Sequence, residues 1–319
     1  MQKPLVKPQR LRPGDTIGLV TPASPLLSFR DIQRAGKVLR ELGFNVKPGQ
    51  YIRSRTGFLA GTDEQRAADI NAMLADPSVK GIFALRGGYG SARVLERLDW
   101  KLIGANPKVL LGHSDLTALL CAVHLRTGMV TFWGPTAGYD LGRSPSPFKI
   151  KWLKAVLCRT SPSLKLPGTS PGNRKQLGVM ARHGAAEGPL AGGNLSLLTS
   201  LLGTPFEIET RGRILFIEDV DEEPYRMDRM LTQLSLAGKL RQAAGIAVGR
   251  CLNCESSGRM KRTFNLRQVL EDRLGSLGIP VVYGFPFGHE SDKITLPLGV
   301  RARLDSERPS LTLLEPGVW

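Results

Sequence analysis

The sequence predicts an α/β protein: a helix-flanked parallel sheet in the N-terminal half, joined to a smaller α+β, β-rich and barrel-like C-terminal domain. Three observations carry this. Short apolar runs alternate with helical-period segments up to about residue 140, the pattern of βα units. A Pro-, Gly- and Ser-rich stretch with little periodicity then interrupts the chain. Beyond it the segments are mixed, and the last forty residues alternate in strand fashion. The 319 residues suffice for about two domains. The boundaries read as 1–158 for the first domain, 159–187 for a linker and 188–319 for the second.

Asp15 to Ala23 reads as the first strand. Ser28 or Asp31 opens a helix whose Ile32, Ala35, Val38, Leu39 and Leu42 follow helical spacing, and Gly43 ends it. A strand near Asn45 to Ile52 follows. Thr62 and Gln65 form a capping box for the helix carrying Ala67, Ile70, Met73 and Leu74. Lys80 to Leu85 is an apolar strand leading into the loop Arg86-Gly87-Gly88-Tyr89-Gly90 and a helix with Ala92, Leu95 and Leu98. Val109 to Leu111 is a buried strand, Gly112-His113-Ser114 a tight turn, and Leu116, Leu119 and Leu120 the apolar face of the next helix. Met129 to Trp133 is one more strand. In the second half, Gly192-Gly193-Asn194 precedes a short helix, and Arg213 to Ile217 is a strand running into Glu218-Asp219. Pro224 to Leu236 and Phe264 to Leu277 are helices, and Ile246 to Val248 is a strand. Val281 to Tyr283, Ile294 to Leu298, Val300 to Leu304 and Leu311 to Leu314 complete the strands.

Composition narrows the function. No apolar run reaches the ~18 residues of a membrane span. The basic N-terminus is followed by no signal-peptide h-region, so a cytoplasmic location and no membrane partner are expected. The net charge of +16 permits nucleic-acid binding. Yet Lys and Arg are scattered, the densest cluster (Arg259 to Arg262) is short, and no zinc-finger, RRM or KH signature is present. A solvated basic surface is therefore expected, with no nucleic-acid partner. Cys121 lies on an apolar helix. Cys251 and Cys254 have C-x-x-C spacing but lack the second pair or paired histidines of a zinc site, so no metal or cofactor is expected.

Ser114 stands at a strand-to-helix corner. There its hydroxyl projects from the carboxyl end of a strand, where open α/β sheets keep their ligands. The following N–H, that of Asp115, is a helix-start donor suited to an oxyanion. The corner resembles a nucleophile elbow, although Leu116 stands where G-x-S-x-G requires a second Gly. Such a serine either attacks or merely caps the helix. A serine nucleophile wants an imidazole base and an acid that fixes its tautomer. His113 adjoins Ser114 and points away from it, His124 sits on a packed helix, and His183 ends the irregular stretch. His289, in a Gly-containing loop between strands, is the candidate base, with an ordinary loop histidine as the alternative. Glu218 and Asp219 end an apolar strand; they form either a paired acid or a solvated acidic loop. The loop RGGYG fits no nucleotide-binding pattern. Its backbone, through Gly88, joins Asp115 as a candidate two-donor oxyanion hole.

These blocks together resemble a known family. RGGYGSARVLERLDW, GHSDLTAL, TFWGP, GGNLSLLTSLLGTPF, LFIEDVDEEPYRMDRMLTQL and FGHESDKITLPLG, after a GDTIGLVTPAS start, are similar to the LD-carboxypeptidases, or muramoyltetrapeptide carboxypeptidases. That family also contains the microcin C self-immunity hydrolases. The resemblance spans nearly the whole chain. It implies a flavodoxin-like or Rossmann-like N-terminal domain, a smaller β-rich C-terminal domain, and a metal-free Ser-His-Glu peptidase. By motif, Ser114 matches the nucleophile, Glu218 the acid and His289 the base. The implied reaction releases the terminal D-alanine of murein tetrapeptides during cytoplasmic peptidoglycan recycling, commonly by a homodimer. Action on peptidyl or aminoacyl nucleotides is the alternative. Arg86, Asn194 and Arg226 lie in the motif blocks and suit the peptide's carboxylates; ion pairs and helix caps are their structural alternatives. The stretch PGTSPGNRKQLGVMARHG matches no family block.

Overall fold

The computed structural model describes residues 3–173, 175–181, 183–256 and 263–319, so the basic cluster Arg259 to Arg262 lies outside the described residues. The chain divides into two compact units. One comprises Met1–Ser161, Ile294–Gly299 and Pro316–Trp319; the other comprises Pro162–Lys293 and Val300–Glu315.

The first unit is built on β1 (Thr16–Val20), β2 (Asn45–Pro48), β3 (Val79–Ala84), β4 (Val109–Gly112) and β5 (Phe132–Trp133). These five strands are parallel and lie in the order β2-β1-β3-β4-β5. That is the flavodoxin-like order, whose topological switch point falls between β1 and β3. Ile17, Leu19, Ile82, Phe83, Leu110, Leu111, Phe132 and Trp133 are all buried. Near-continuous apolar strands are what a sheet covered on both faces demands. The helices are α1 (Arg30–Glu41), α2 (Asp63–Ala75), α3 (Trp100–Ala105), α4 (Thr117–Thr127) and α5 (Pro147–Leu157). The Thr62–Gln65 capping box starts α2 as expected. The expected helix carrying Ala92 and Leu95 is instead a 3-10 segment, Ser91–Arg97. A π-helical turn, Ala137–Gly142, follows β5.

The second unit contains β6 (Leu164–Lys165), β7 (Gly178–Ala181), β8 (Ala185–Asn194), β9 (Ile214–Glu218), β10 (Gly245–Arg250) and β11 (Val281–Gly288). Its helices are α6 (Leu195–Ser200), α7 (Pro224–Leu236), α8 (Lys239–Gln242) and α9 (Leu266–Leu274). β12 (Leu296–Pro297) pairs antiparallel with β5 and so belongs to the first sheet, whereas β13 (Arg301–Asp305) and β14 (Ser310–Leu313) return to the second. The second sheet runs β6-β14-β13-β8-β9-β10-β11-β7. Its centre, β8 to β11, is parallel.

Two stretches therefore differ from their sequence reading. The Pro/Gly-rich residues expected as linker carry β6, β7 and the start of β8. These edge pairings gain their stability from partners a hundred or more residues away, which local pattern does not reveal. The strands expected at Ile294 to Leu298 and Val300 to Leu304, both read as C-terminal, fall in different units, the change coming between Gly299 and Val300.

Candidate active site

The candidate residues of the first unit lie at the corner after β4. His113 is extended, and Ser114 follows with φ +61°. A non-glycine residue in this left-handed region is strained and persists only where its surroundings hold it. Several contacts do so. Leu116 N–H bonds back to the His113 carbonyl at 3.2 Å. The His113 ring packs edge-on against Trp133, with centroids 5.4 Å apart, and its Nδ1 lies 3.5 Å from Asp140 Oδ2. Trp133 Nε1 in turn donates to Thr117 Oγ1 at 3.1 Å. His113 is thus a buried strut of the corner.

The Gly-rich loop after β3 lies directly over Ser114. A Cβ at Gly87 would stand 3.0 Å from the Ser114 Cβ and 3.2 Å from the His113 carbonyl oxygen, closer than ordinary contact, so the missing side chain eases this approach. Asp115, 2% exposed, ties the loop down: its carboxylate accepts from Gly90 N–H at 3.2 Å and from Ser91 N–H at 2.8 Å. Burial pushes its carboxyl up from the usual range, and those hydrogen bonds oppose the shift. Ser24, after β1, accepts from Tyr89 N–H at 3.1 Å and donates its own N–H to the Gly87 carbonyl at 3.3 Å. The peptides on both sides of Gly88 are held in this way. The candidate oxyanion donors, the Gly88 and Asp115 N–H groups, therefore belong to two segments packed against each other. Arg86 Nη1 donates to the Pro25 carbonyl at 2.8 Å, so one edge of that guanidinium serves the loop after β1.

The candidate residues of the second unit lie at the carboxyl ends of β8 to β11. Glu218 ends β9 with no exposure, and its Oε2 lies 2.8 Å from His289 Nδ1. The sequence left Glu218–Asp219 open between a paired acid and a solvated loop; both carboxylates are buried. β10 separates β9 from β11, so His289 reaches Glu218 only because β11 bends over the end of β10. The register there shifts twice, and Arg250 faces Gly288. Gly288 has φ +133°, and a Cβ on it would meet the Arg250 carbonyl oxygen at 2.5 Å and Glu218 Oε2 at 3.2 Å. The glycine of the FGHE block is thus what admits the imidazole to the acid.

The neighbours of this pair are fixed. Arg250, 9% exposed, donates to Glu290 Oε2 at 2.8 Å and to the Asn173 carbonyl at 3.0 Å, anchoring the residue after His289. Asn194, expected among the substrate-binding residues, is buried and turned toward the carboxylates: its Nδ2 donates to Glu218 Oε1 at 3.2 Å and Asp219 Oδ1 at 2.9 Å. Arg226 stands on an exposed face of α7 beside Tyr225 and Glu222, with Nε donating to Tyr225 Oη at 3.2 Å. Cys251 Sγ donates to the Gly249 carbonyl at 3.9 Å, and the neighbouring Cys254 thiol together with burial pushes the Cys251 thiol up. His124 bonds the Met129 carbonyl at 3.1 Å, and His183 is exposed. Among the described residues no group of three or more His, Cys, Asp and Glu could hold a metal ion, and no helix is long and apolar enough to cross a membrane.

The structure thus brings Glu218, His289 and Asn194 together in one unit, and Ser114, Gly88 and Asp115 together in the other. Sequence reasoning missed the roles of Gly87, Gly288 and Arg250. For the two glycines a signal existed, since Gly87 stands in the glycine-rich loop RGGYG and Gly288 directly precedes the candidate base His289.

The model of the LD-carboxypeptidase N-terminal domain matches residues 17–134, and that of the LD-carboxypeptidase C-terminal domain matches residues 187–304. A probable murein peptide carboxypeptidase of Bacillus subtilis (strain 168) is 42% identical over 318 residues, covering 98% of this chain and 95% of the relative. Among solved structures, the microcin C7 self-immunity protein MccF in its wild-type apo state superposes with a TM-score of 0.89 at 28% identity, covering 98% of this chain and 100% of that one. A muramoyltetrapeptide carboxypeptidase from Oxalobacter formigenes does so with a TM-score of 0.81 at 33% identity, covering 93% and 97%.

Proposed function

The chain belongs to the LD-carboxypeptidase family and is a serine-type carboxypeptidase, and from that premise we propose that it releases the terminal D-alanine of murein tetrapeptides through Ser114, His289 and Glu218. The observation that carries this reading is the buried Glu218–His289 hydrogen bond, the acid–base half of a serine hydrolase. Ser114 Oγ attacks the scissile carbonyl. His289 accepts the hydroxyl proton at Nε2, while Glu218 holds Nδ1–H and thereby fixes the tautomer. The Gly88 and Asp115 N–H groups receive the negative oxygen. The tetrahedral intermediate collapses to an ester on Ser114 as His289 protonates the departing D-alanine nitrogen. Water, deprotonated by the same imidazole, then releases the shortened peptide.

A second reading is favoured by the likeness to MccF: cleavage of peptidyl or aminoacyl nucleotides by the same three residues. One panel separates the two. Free and UDP-linked murein tetrapeptide are assayed for D-alanine release beside an acyl-sulfamoyl adenylate assayed for acyl hydrolysis. Turnover of the tetrapeptides alone supports the first reading. Turnover of the adenylate alone replaces it with the second.

A further inference from the structure

The Glu218–His289 pair rests on a second carboxylate that the mechanism does not use. Asn194 closes β8 directly opposite Glu218 at the end of β9. Its side-chain amide is wholly committed. Oδ1 accepts from Leu197 N–H at 3.3 Å, capping α6, and Nδ2 donates to both Glu218 Oε1 and Asp219 Oδ1. An amide nitrogen carries two hydrogens, one for each carboxylate, so the position of the amide is set by both acids. Asp219 is the better anchored. It is 3% exposed and also accepts from Ser196 N–H at 2.9 Å, Ser196 Oγ at 2.7 Å and Val220 N–H at 2.9 Å. Glu218 then has one oxygen held by Asn194 and the other by His289, with no freedom to rotate.

We infer that Asp219 is a positioning residue for the Glu218–His289 pair, locking the Glu218 carboxylate through Asn194 and adding a second negative charge close to the imidazolium formed in catalysis. Burial and the Glu218 charge both push the Asp219 carboxyl up, and the Ser196 hydrogen bond opposes them. The other titratable groups around it are Cys251 after β10, whose thiol meets the Asp219 N–H and the Glu218 charge, and Asp221 and Glu222 ahead of α7. Glu222 is paired at 3.8 Å with Arg226. From α7 itself, Met230 Sδ accepts from Ser196 Oγ at 3.3 Å. Asp219 therefore supplies a buried charge with a direct hydrogen-bonded path to the acid.

The inference rests on the Ser-His-Glu reading, so its test includes a readout independent of turnover. The chain has four histidines, and a His289→Gln variant assigns the imidazole signal of His289 by NMR. In Asp219→Asn the His289 titration midpoint moves to lower pH, and in Glu218→Gln it moves further the same way. The acid limb of kcat/KM follows it. At the optimum kcat falls roughly tenfold, a part of the general-base contribution, while KM stays nearly constant. Asn194→Ser keeps a capping side chain for α6 yet breaks the bridge, and it reproduces the shift even if Asp219→Asn does not fold. A double variant loses no more than the larger single loss. An unchanged His289 midpoint in the folded variants overturns the inference. A shifted midpoint in a protein that releases no D-alanine sustains it and sinks the substrate assignment instead.

Discussion

The two candidate corners use one device for opposite ends. In each, an aspartate directly follows the residue proposed to act: Asp115 after Ser114, and Asp219 after Glu218. Both are nearly unexposed, both accept backbone N–H groups from a neighbouring segment, and both are pushed above the ordinary carboxylate range by burial. Asp115 pulls a glycine loop down over a strained serine, so its yield is backbone geometry. Asp219 is bonded through Asn194 to another carboxylate, so its yield is side-chain orientation and charge. A buried acid beside a functional residue is therefore not a single kind of part. What it does depends on whether its donors are loop peptides or a shared amide.

The largest effect that would break this comparison is at the serine. Ser114→Ala should lower D-alanine release by about 10⁴-fold or more while leaving the fold intact. Comparable activity in that variant would remove the first corner from the mechanism. Glu218→Gln follows, with kcat reduced about 10²–10⁴-fold, because the amide can favour the wrong imidazole tautomer. Gly288→Ala sharpens the comparison, because it tests access rather than chemistry. The new Cβ meets the Arg250 carbonyl in a conformation that excludes side chains, so about 1–3 kcal/mol of stability is lost and kcat falls with it. Thermal melts and steady-state kinetics on the same sample measure both.

The smallest effect concerns pH. The folded-state carboxyls of Asp115 and Asp219 are raised above their usual 3.8. Between 3.8 and the raised values the native state holds protons that the unfolded chain has released. Stability from these groups is therefore greatest at low pH, declines as pH rises through that window, and is flat above it. Urea midpoints measured across this range should decline less steeply for Asp115→Asn and Asp219→Asn than for the unaltered protein. Only Asp115→Asn should also disturb the glycine loop, seen as faster amide exchange at Gly90 and Ser91.

Much of the first unit was legible in the sequence, because βα alternation and capping chemistry are local. The Thr62–Gln65 box, the Val109 strand and the Ser114 corner all follow from neighbours within a few residues. The 3-10 segment at Ser91–Arg97 was not legible, since its apolar spacing also suits an α-helix. In the second unit the parallel centre, β8 to β11, was hidden, as were the edge strands at Leu164–Lys165 and Gly178–Ala181. Strand pairing there joins residues far apart, and no short-range pattern states the partner. The acidic run Glu218 to Glu223 shows the same limit at the site. Its spacing fits a solvated loop, and only the fold tells that Glu218 and Asp219 are buried on Asn194 while Asp221 is not. For Asn194 itself the motif suggested a substrate contact, whereas its amide serves the two carboxylates.

The most direct test is to trap the ester on the serine. Glu218→Gln enzyme is mixed with murein tetrapeptide, quenched in acid within the first turnover and digested for mass analysis. The account predicts that the peptide containing Ser114 gains the mass of the tripeptide acyl group, in step with D-alanine release, and that Ser114→Ala shows neither. D-alanine released by the unaltered enzyme with no acylated Ser114 at any quench time, and retained in Ser114→Ala, would contradict it.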